Sequence, residues 1–413
     1  MLKRYPVATY HNPKASPHLN YGPALKAILN EHSSALAQTE IASWPGFAKT
    51  PLVCLPGLAA VAGVSSIYYK DESTRFGLGS FKALGGAYAV YRLLRRSVEK
   101  ATGSERITAK DLESGRYREL TRNITVCCAT DGNHGRSVAW GARMFHCRCV
   151  IYLHQNVSAA RESAIAHYGA RITRVSGNYD DSVHRTALDA EQNGWTVISD
   201  TSYDGYTEIP KDVMHGYTVM TDEAIAALPQ GESLTHVFVQ GGVGGLPAAV
   251  CAPLWRQLAE QRPRFVVVEP ENAACLYASA KARERVTLSG SLDTVMAGLS
   301  CGEPSLIAWE ILSIGTNDFM TIPDDAAIDA MRLLADGVDG DSPIVGGESG
   351  VAGLAGMLAV AADNRLAQEL ALDSDSKVLV FGTEGDTDPE LYQRIVGRSS
   401  EQVRRSGHRA TYV

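Results

Sequence analysis

Short apolar runs alternate with amphipathic stretches along the chain from about Ile124 onward. The runs ITVCCA, CRCVIYL, RITRVSG and WTVISD are rich in apolar and β-branched residues, and each predicts a strand. Between them lie RSVAWGARMFH, SAARESAIAHYGA and YDDSVHRTALDAEQNG, which carry apolar residues at helical spacing. Strands that alternate with helices in this way predict parallel βαβ units.

A second series of the same kind follows. The strand-like run THVFVQ leads into GGVGGLPAAVCAPLWRQL, and RFVVVEP and KVLVFG come farther along the chain. Two series predict an α/β protein with two doubly wound parallel-sheet lobes. From the points where the series change, we predict a large domain at residues 1–86 and 211–413, and a smaller inserted domain at residues 87–210. Ligand clefts form at such junctions, so we expect the binding cleft between the two domains.

Composition excludes several classes of partner. The 413 residues are 45% hydrophobic and 21% charged, which is typical of a folded protein with a large core. The net charge of -7 and the lack of a Lys/Arg block disfavour nucleic acid. No run approaches the roughly 20 apolar residues that cross a bilayer, and the first residues lack the apolar core of a signal peptide. We therefore expect a cytoplasmic protein with small substrates and no membrane partner.

The eight cysteines are too dilute for a disulfide scaffold. Two close clusters, Cys127-Cys128 and Cys147/Cys149, lack CxxC spacing, and each lies in an apolar stretch that predicts a strand. We expect buried thiols there and no metal site.

The stretch GSFKALGGA, residues 79–87, places one lysine among apolar and very small residues. Ser80 has the character of a helix N-cap, which predicts that Lys82 lies at the start of a helix. Burial and the positive end of the helix would both favour a neutral amine, which is a nucleophile suited to a Schiff base with an aldehyde. A surface lysine with an extended side chain is the alternative interpretation of Lys82 taken alone.

A glycine-rich loop separates a predicted strand from a predicted helix. It consists of Gly241, Gly242, Val243, Gly244 and Gly245. Glycines at this place let backbone N–H groups face an anion at the helix N-terminus, which predicts a phosphate site. Two alternatives stay open: a dinucleotide loop, with Glu269 as the ribose-binding acid although Pro247 replaces the third glycine, and a loop that is glycine-rich only for close packing.

One cofactor explains both the lysine and the loop, because pyridoxal 5'-phosphate (PLP) combines an aldehyde with a phosphate. Two further segments follow predicted strands, where ligand contacts occur in open α/β sheets. In TDGNHG, Asn133 can hydrogen-bond the phenolic oxygen of PLP and Asp131 can transfer a proton, whereas we interpret His134 as structural. In FGTEGD, Thr383 can offer its hydroxyl to the pyridine nitrogen and leave it largely unprotonated, which suits β-elimination.

The motifs occur in the order found in fold-type II PLP enzymes, the tryptophan synthase β-like group. Within that group the chain resembles the diaminopropionate ammonia-lyases. The resemblance spans about residues 45–400 and rests on SFKALGGA, TDGNHG, GGVGG and TEGDTDP as an ordered set. Most relatives that deaminate serine or threonine carry a small hydroxyl residue where this chain has Asp131. A Met-Pro-Lys-like stretch of the relatives is replaced here by residues 153–156, LHQN, a departure that concerns the substrate rather than the cofactor.

The resemblance implies roles for individual residues. Lys82 would be the Schiff-base lysine, Asn133 the contact to the ring oxygen, and Thr383 the partner of the pyridine nitrogen. The loop at 241–245 would bind the phosphate. The resemblance also implies a homodimer.

The resemblance further implies the reaction, an α,β-elimination of 2,3-diaminopropionate to pyruvate and two ammonia. Lys82 and Asp131 would take the Cα proton from opposite substrate enantiomers, and Asp200 would be a further substrate-side carboxylate. A carboxylate at position 131 would also attract the β-ammonium and help keep it protonated. The alternatives are a dehydratase or ammonia-lyase for serine, threonine or 3-hydroxyaspartate and, in a different class, a non-catalytic nucleotide-binding regulatory protein.

Overall fold

Strands and helices alternate along the chain in the computed structural model, which describes residues 2–130, 132–155, 157–177 and 179–407. The strands are β1 (Ala8–His11), β2 (Leu52–Cys54), β3 (Ser66–Asp71), β4 (Thr125–Ala129), β5 (Arg148–His154), β6 (Arg171–Val175), β7 (Thr196–Val197), β8 (His236–Gln240), β9 (Arg264–Pro270), β10 (Asp318–Ile322) and β11 (Lys377–Gly382).

The α-helices are α1 (Pro23–Lys26), α2 (Glu31–Ala42), α3 (Pro56–Ala62), α4 (Lys82–Thr102), α5 (Ala109–Glu113), α6 (Arg118–Thr121), α7 (Asn133–Met144), α8 (Ala159–Ala166), α9 (Tyr179–Asn193), α10 (Glu208–Ala226), α11 (Gly245–Leu258), α12 (Cys275–Ala282), α13 (Leu306–Gly315), α14 (Asp324–Asp336), α15 (Ala352–Ala361), α16 (Asn364–Leu370), α17 (Pro389–Val396) and α18 (Ser400–Ser406). Single turns of 3₁₀-helix occur at Arg75–Gly77, Ala259–Gln261 and Ala297–Leu299.

The structure confirms the elements that the hydrophobic pattern predicts from Ile124 onward. The run ITVCCA forms β4, and THVFVQ, RFVVVEP and KVLVFG form β8, β9 and β11. The run WTVISD forms only the two-residue strand β7. Strands β1, β2, β3 and β10 lie outside the two series and were not predicted.

The chain divides into two compact units. The larger unit comprises Met1–Ala27, Lys49–Ser80 and Met220–Val413, and the smaller unit comprises Ile28–Ala48 and Phe81–Val219. The domain boundaries that we infer from the sequence, after residues 86 and 210, stay a prediction.

Each unit contains a sheet, as the α/β prediction requires. In the described part of the larger unit the strand order is β1-β10-β9-β8-β11-β3-β2, with β1 and β2 antiparallel to their neighbours and the other pairs parallel. The described strands of the smaller unit run parallel in the order β6-β5-β4-β7. The α/β fold is confirmed, and the structure adds an antiparallel strand at each edge of the larger sheet, a common feature of large α/β sheets.

Small residues in the first turns of α4 allow close packing within the smaller unit. A Cβ atom at Gly85 would lie 2.3 Å from the Tyr217 ring, and one at Gly86 would lie 2.6 Å from Ser137 Oγ. Gly141 of α7 faces Ala87 in the same way, with 2.7 Å between its would-be Cβ and the Ala87 Cα. The glycines of GSFKALGGA therefore permit α4 to contact α7 and α10 at distances that larger residues would prevent.

A buried ion network ties together distant segments of the larger unit. Lys70 Nζ lies 2.7 Å from Glu223 Oε2, which also accepts from Arg75 Nη2 at 2.6 Å. Arg75 Nε donates to Glu72 Oε2 at 2.8 Å. Burial alone would raise the pKa of Glu72, but Arg75 and Lys70 together hold that pKa below its ordinary value. Two cations thus balance two carboxylates where water does not reach.

We predict that Arg75→Met lowers the free energy of unfolding by about 3–5 kcal/mol, because it leaves two buried carboxylates with one cation. Arg365→Met is the matched control, since it breaks the exposed Arg365–Glu369 pair and should cost at most about 0.5 kcal/mol. Urea unfolding followed by circular dichroism measures both. Equal, small losses in the two variants would contradict a stabilising role for the network.

Candidate active site

Helix α4 begins at Lys82, but Ser80 does not cap it. The N-cap residue is Phe81, and no side chain makes a capping hydrogen bond. Ser80 instead forms an antiparallel bridge with Glu384, and the Gly79 carbonyl accepts from the Gly385 N–H at 2.9 Å. The prediction of a serine cap is wrong because pairing with a distant segment takes precedence over a local side-chain bond.

Lys82 forms an ion pair with Asp200. The side chain of Lys82 is 21% exposed, and its Nζ lies 2.5 Å from Asp200 Oδ2. Burial raises the pKa of Asp200, but the Lys82 ammonium, and after it His134, more than offset burial and hold that pKa well below its ordinary value. The adjacent carboxylate favours the ammonium form, so it opposes the neutral amine that the sequence analysis expects at Lys82, and that expectation stays a prediction.

Aromatic rings enclose the Lys82 side chain within the smaller unit. Its Nζ lies 5.4 Å from the centre of the Phe81 ring and 5.7 Å from that of Tyr217. The Tyr217 hydroxyl is buried and makes no hydrogen bond within the residues that the structure describes. Sequence reasoning missed Tyr217, although Gly85, which leaves room for its ring, was a visible signal.

His134 lies against the same ion pair. Its Nε2 is 2.8 Å from the Ile198 carbonyl, which can only accept, so Nε2 carries the hydrogen. Its Nδ1 lies 3.9 Å from Asp200 Oδ2 and has no hydrogen-bond partner in the described ranges. Burial lowers the pKa of His134, and Asp200 opposes this only in part. His134 thus lies beside the Lys82–Asp200 ion pair and also holds the backbone at Ile198 through its hydrogen bond.

Asn133 is the first residue of α7 and is half-buried. The turn before it is held by Thr130, whose Oγ1 accepts from the N–H groups of Gly132 and Gly135 at 3.0 Å each. A Cβ atom at Gly135 would lie 2.3 Å from the Thr130 side chain, so this turn requires glycine there. Asp131 and Asn156, which the sequence analysis singles out, lie outside the described residues.

The glycine loop lies between β8 and α11 in the larger unit. Gly242 and Gly244 have positive φ angles of 64° and 100°, and Gly244 is the N-cap of the 14-residue helix α11. The Gly241 N–H donates to Val268 O at 2.9 Å, whereas those of residues 242–245 have no hydrogen-bond partner among the described residues. Unpaired amides at a helix N-terminus fit a phosphate group, as the sequence predicts.

Glu269 lies directly behind the loop and is fully buried. A Cβ atom at Gly241 would lie 2.5 Å from its Cγ. Its two oxygens accept from the N–H groups of Leu276 and Tyr277, at 3.0 and 2.7 Å. Burial raises the pKa of Glu269 to about 8, although these two bonds oppose the shift. Because both oxygens bond to the start of α12, Glu269 does not fit the role of a ribose-binding acid.

Thr383 follows β11 and is 3% exposed. Its Oγ1 lies 2.6 Å from Nε2 of Gln240, the last residue of β8. Sequence reasoning missed Gln240, although a polar residue at the end of an apolar strand was a visible signal.

Burial raises the pKa of the thiols in both close cysteine clusters. Cys127 and Cys128 lie on β4 and are buried, and burial raises the pKa of Cys127 to about 12. Burial also raises the pKa of Cys147 to about 12. Among the described residues, no group of three or more His, Cys, Asp or Glu side chains could hold a metal ion. In the same part of the chain, no helix has the length and apolar character to cross a membrane.

Comparison with known proteins gives a consistent result. The model of the family "Pyridoxal-phosphate dependent enzyme" matches residues 44–383. The chain is 38% identical to a diaminopropionate ammonia-lyase of Escherichia coli K12 over 384 residues, which is 91% of this chain and 94% of that protein. It is 39% identical to the enzyme of the same name from Salmonella typhimurium, over 86% of this chain and 90% of that one.

Solved structures of the Escherichia coli diaminopropionate ammonia-lyase are similar to this chain. The holo form has a TM-score of 0.87 at 35% identity, covering 96% of this chain and 98% of that chain. A complex with an aminoacrylate-PLP azomethine reaction intermediate has a TM-score of 0.85 with the same coverage. A threonine deaminase from Solanum lycopersicum, at 18% identity and a TM-score of 0.68, shares the fold.

The buried carboxyl group of Glu269 predicts a pH dependence of stability. Its pKa is about 8 in the folded chain against an ordinary 4.5, so the folded state holds a proton that the unfolded state has released between these values. The stability that this bound proton gives to the folded state is complete below pH 4.5. It is lost as the pH rises to about 8, by at most about 1.4 kcal/mol per pH unit.

The free energy of unfolding should therefore fall less steeply over this range in Glu269→Gln than in the wild type, whatever the two values are at low pH. Glu271→Gln, two residues along and exposed, is the control and should follow the wild type. Chemical unfolding at a series of pH values measures the slopes. Parallel slopes in the wild type and Glu269→Gln would show that Glu269 is ionised in the folded chain.

Proposed function

The chain belongs to the pyridoxal-phosphate dependent enzymes and, among them, to the diaminopropionate ammonia-lyases, and from this membership we propose that it converts 2,3-diaminopropionate to pyruvate and two ammonia. The cofactor is PLP. The observation that carries the proposal is the ion pair at the start of α4, in which a carboxylate holds a half-buried lysine amine. A carboxylate at this distance stabilises the ammonium that forms when the lysine amine accepts a proton.

The residues present fit PLP. Lys82 would carry its aldehyde carbon, and the amides of residues 242–245 would bind its phosphate. Asn133 would hydrogen-bond the ring oxygen, and Thr383 the ring nitrogen. Bound PLP withdraws electrons from Cα of the substrate, which makes the Cα proton more acidic and lets the β-substituent leave.

Lys82 would take the Cα proton from one substrate enantiomer. When its amine is free, Nζ can accept a proton, and Asp200 at 2.5 Å stabilises the ammonium that results. His134 Nδ1 lies 3.9 Å from Asp200 Oδ2 and, after Lys82, also lowers the pKa of Asp200, so the carboxyl group stays ionised beside the lysine amine.

Asp131 would act on the other enantiomer. Its carboxylate would take the Cα proton from the face opposite Lys82 and would attract the β-ammonium group of the substrate. These roles rest on the resemblance to the diaminopropionate enzymes. The homodimer and the cytoplasmic location also stay predictions, to be checked by light scattering and by cell fractionation.

Product stoichiometry tests the reaction. Purified holoenzyme is supplied with D- and L-2,3-diaminopropionate, serine, threonine and 3-hydroxyaspartate, and 2-oxo acid and ammonia are measured separately. Diaminopropionate should be the fastest substrate and give two ammonia per pyruvate, because both nitrogens leave. Faster turnover of serine or threonine, with one ammonia per oxo acid, would make the chain a dehydratase of hydroxy amino acids.

We predict that Lys82→Ala abolishes covalent attachment of PLP and nearly all turnover, since no other amine replaces its Nζ as anchor and base. Borohydride reduction followed by peptide mapping should label Lys82 in the wild type and no lysine in the variant. Lys211→Ala, which removes a lysine that pairs with Glu208 at the surface, is the control and should keep both label and activity. Label on another lysine, such as the buried Lys70, would overturn the assignment.

We predict that Asp131→Asn affects the two enantiomers unequally. The amide keeps the size and the hydrogen-bonding capacity of the carboxylate but cannot transfer the proton, a loss of about 10²- to 10⁴-fold for general acid–base catalysis. Turnover of D-2,3-diaminopropionate should fall by that factor, whereas L-2,3-diaminopropionate still has Lys82 as its base. Steady-state rates on both enantiomers decide the matter. Equal losses would mean that Asp131 binds the substrate without choosing a face.

A further inference from the structure

Gln240 holds the end of β8 to two other segments of the larger unit. The side chain is 1% exposed. Its Nε2 lies 3.0 Å from the carbonyl oxygens of both Gly350 and Phe381, and 2.6 Å from the Thr383 hydroxyl oxygen. One amide nitrogen therefore faces three oxygens in a place from which water is excluded.

The orientation of this amide follows from its neighbours. Carbonyl oxygens can only accept, so the NH₂ end of Gln240 must face Gly350 and Phe381. Rotating the amide by 180° would place its oxygen against two carbonyl oxygens and remove the Gln240 donor from both. The Gln240 Oε1 is buried without a partner among the described residues, so no opposing bond favours the rotated form.

This orientation determines what the Thr383 hydroxyl can do. A hydroxyl that faces an NH₂ group can accept from it but cannot donate to it. The hydroxyl hydrogen of Thr383 therefore points away from Gln240, and while Gln240 Nε2 occupies the nearby carbonyl oxygens, the described part of the chain shows no hydrogen bond that this hydroxyl donates. The NH₂ group has two hydrogens for three oxygens, so Thr383 Oγ1 accepts at most one of them or a shared one. In either case the hydrogen of this buried hydroxyl is left for whatever polar atom lies in front of it.

We propose that Gln240 is a positioning residue that makes Thr383 a hydrogen-bond donor to the ring nitrogen of PLP and so keeps that nitrogen unprotonated. This inference deepens the proposed function, because it rests on Thr383 as the partner of the ring nitrogen. An unprotonated ring withdraws fewer electrons than a protonated one, which suits an elimination in which the β-amino group leaves early. Gln240 would thus set an electronic property of the cofactor through one intervening hydroxyl.

Replacing Gln240 should reverse the direction of the hydrogen bond. In Gln240→Met, the carbonyls of Gly350 and Phe381 lose the Gln240 donor, and Gly350 O keeps the Thr383 N–H at 3.4 Å. The Thr383 hydroxyl becomes free to donate to one of these carbonyls. Only a lone pair of Thr383 would then face the ring, and a ring nitrogen that meets a lone pair takes up a proton.

The test measures the ring nitrogen directly. Holoenzyme is loaded with PLP labelled with ¹⁵N in the ring, and the ¹⁵N chemical shift is recorded across the pH range in which the protein stays folded. The wild type should show an unprotonated nitrogen, and Gln240→Met should move the signal towards that of a protonated pyridine. Thr383→Ser keeps the hydroxyl and should match the wild type. Gln257→Met, which removes an exposed glutamine bonded to Asp222, is the matched control and should leave the shift unchanged.

Two results would overturn the proposal: a protonated ring nitrogen in the wild type, or an unchanged shift in Gln240→Met with PLP bound. If Gln240→Met fails to fold, Thr383→Val is the test instead, because it removes the hydroxyl donor and keeps the shape of the side chain. Its ring nitrogen should shift away from the hydrogen-bonded wild-type value, and no shift would show that Thr383 does not donate. A wild type that binds no PLP would refute the proposed function itself, before any shift is compared.

Discussion

The ion pair between Lys82 and Asp200 is the interaction on which the candidate active site depends. A lysine in the first turn of a helix meets the positive end of the helix dipole, and partial burial adds a desolvation cost. Asp200 offsets both, since it places a negative charge 2.5 Å from the amine. The residues after Lys82 are very small for a separate reason: Gly85 admits the Tyr217 ring, and Gly86 admits Ser137. The unusual composition of GSFKALGGA therefore combines one charged side chain with the close packing of α4.

The larger unit handles buried charge in two different ways. Around Arg75, two cations and two carboxylates neutralise each other. Glu269 has no such partner, and burial favours its protonated form behind the glycine loop. The difference matters for a bound anion. An ionised Glu269 beside Gly241 would repel a phosphate at the N-terminus of α11. A neutral Glu269 leaves the positive potential of the helix N-terminus undiminished. A neutral Glu269 behind the loop is thus compatible with the binding of an anion by the amides of the loop.

Local patterns in the sequence predict only part of this arrangement. The strands from β4 onward follow from apolar runs bounded by turns, and Lys82 and the glycine loop were identified because each is an unusual residue type for its place. The N-cap at Ser80 was wrong, and the partners Tyr217 and Gln240 were missed, because each depends on a contact between residues far apart in the chain. The pairing of Asp200 with Lys82 was not predicted for the same reason. Residue types indicate that a site exists, but the state of each group depends on neighbours that only the fold brings together.

Buried polar atoms that lack a hydrogen-bond partner help to identify the residues that bind a ligand. Such an atom costs about 1–3 kcal/mol, so a folded chain retains few of them. Some here have no connection with the site, as with Trp44 Nε1. Others lie at or beside residues that the sequence analysis singled out. These are His134 Nδ1, the Tyr217 hydroxyl beside Lys82, and the amides of residues 242–245 in the glycine loop. The loop presents amide donors where an anion is expected, and an imidazole and a phenol lie beside the Lys82 amine, where charge would change during a reaction. The chemical type of each unpaired atom, rather than their number, is what makes them evidence for PLP chemistry.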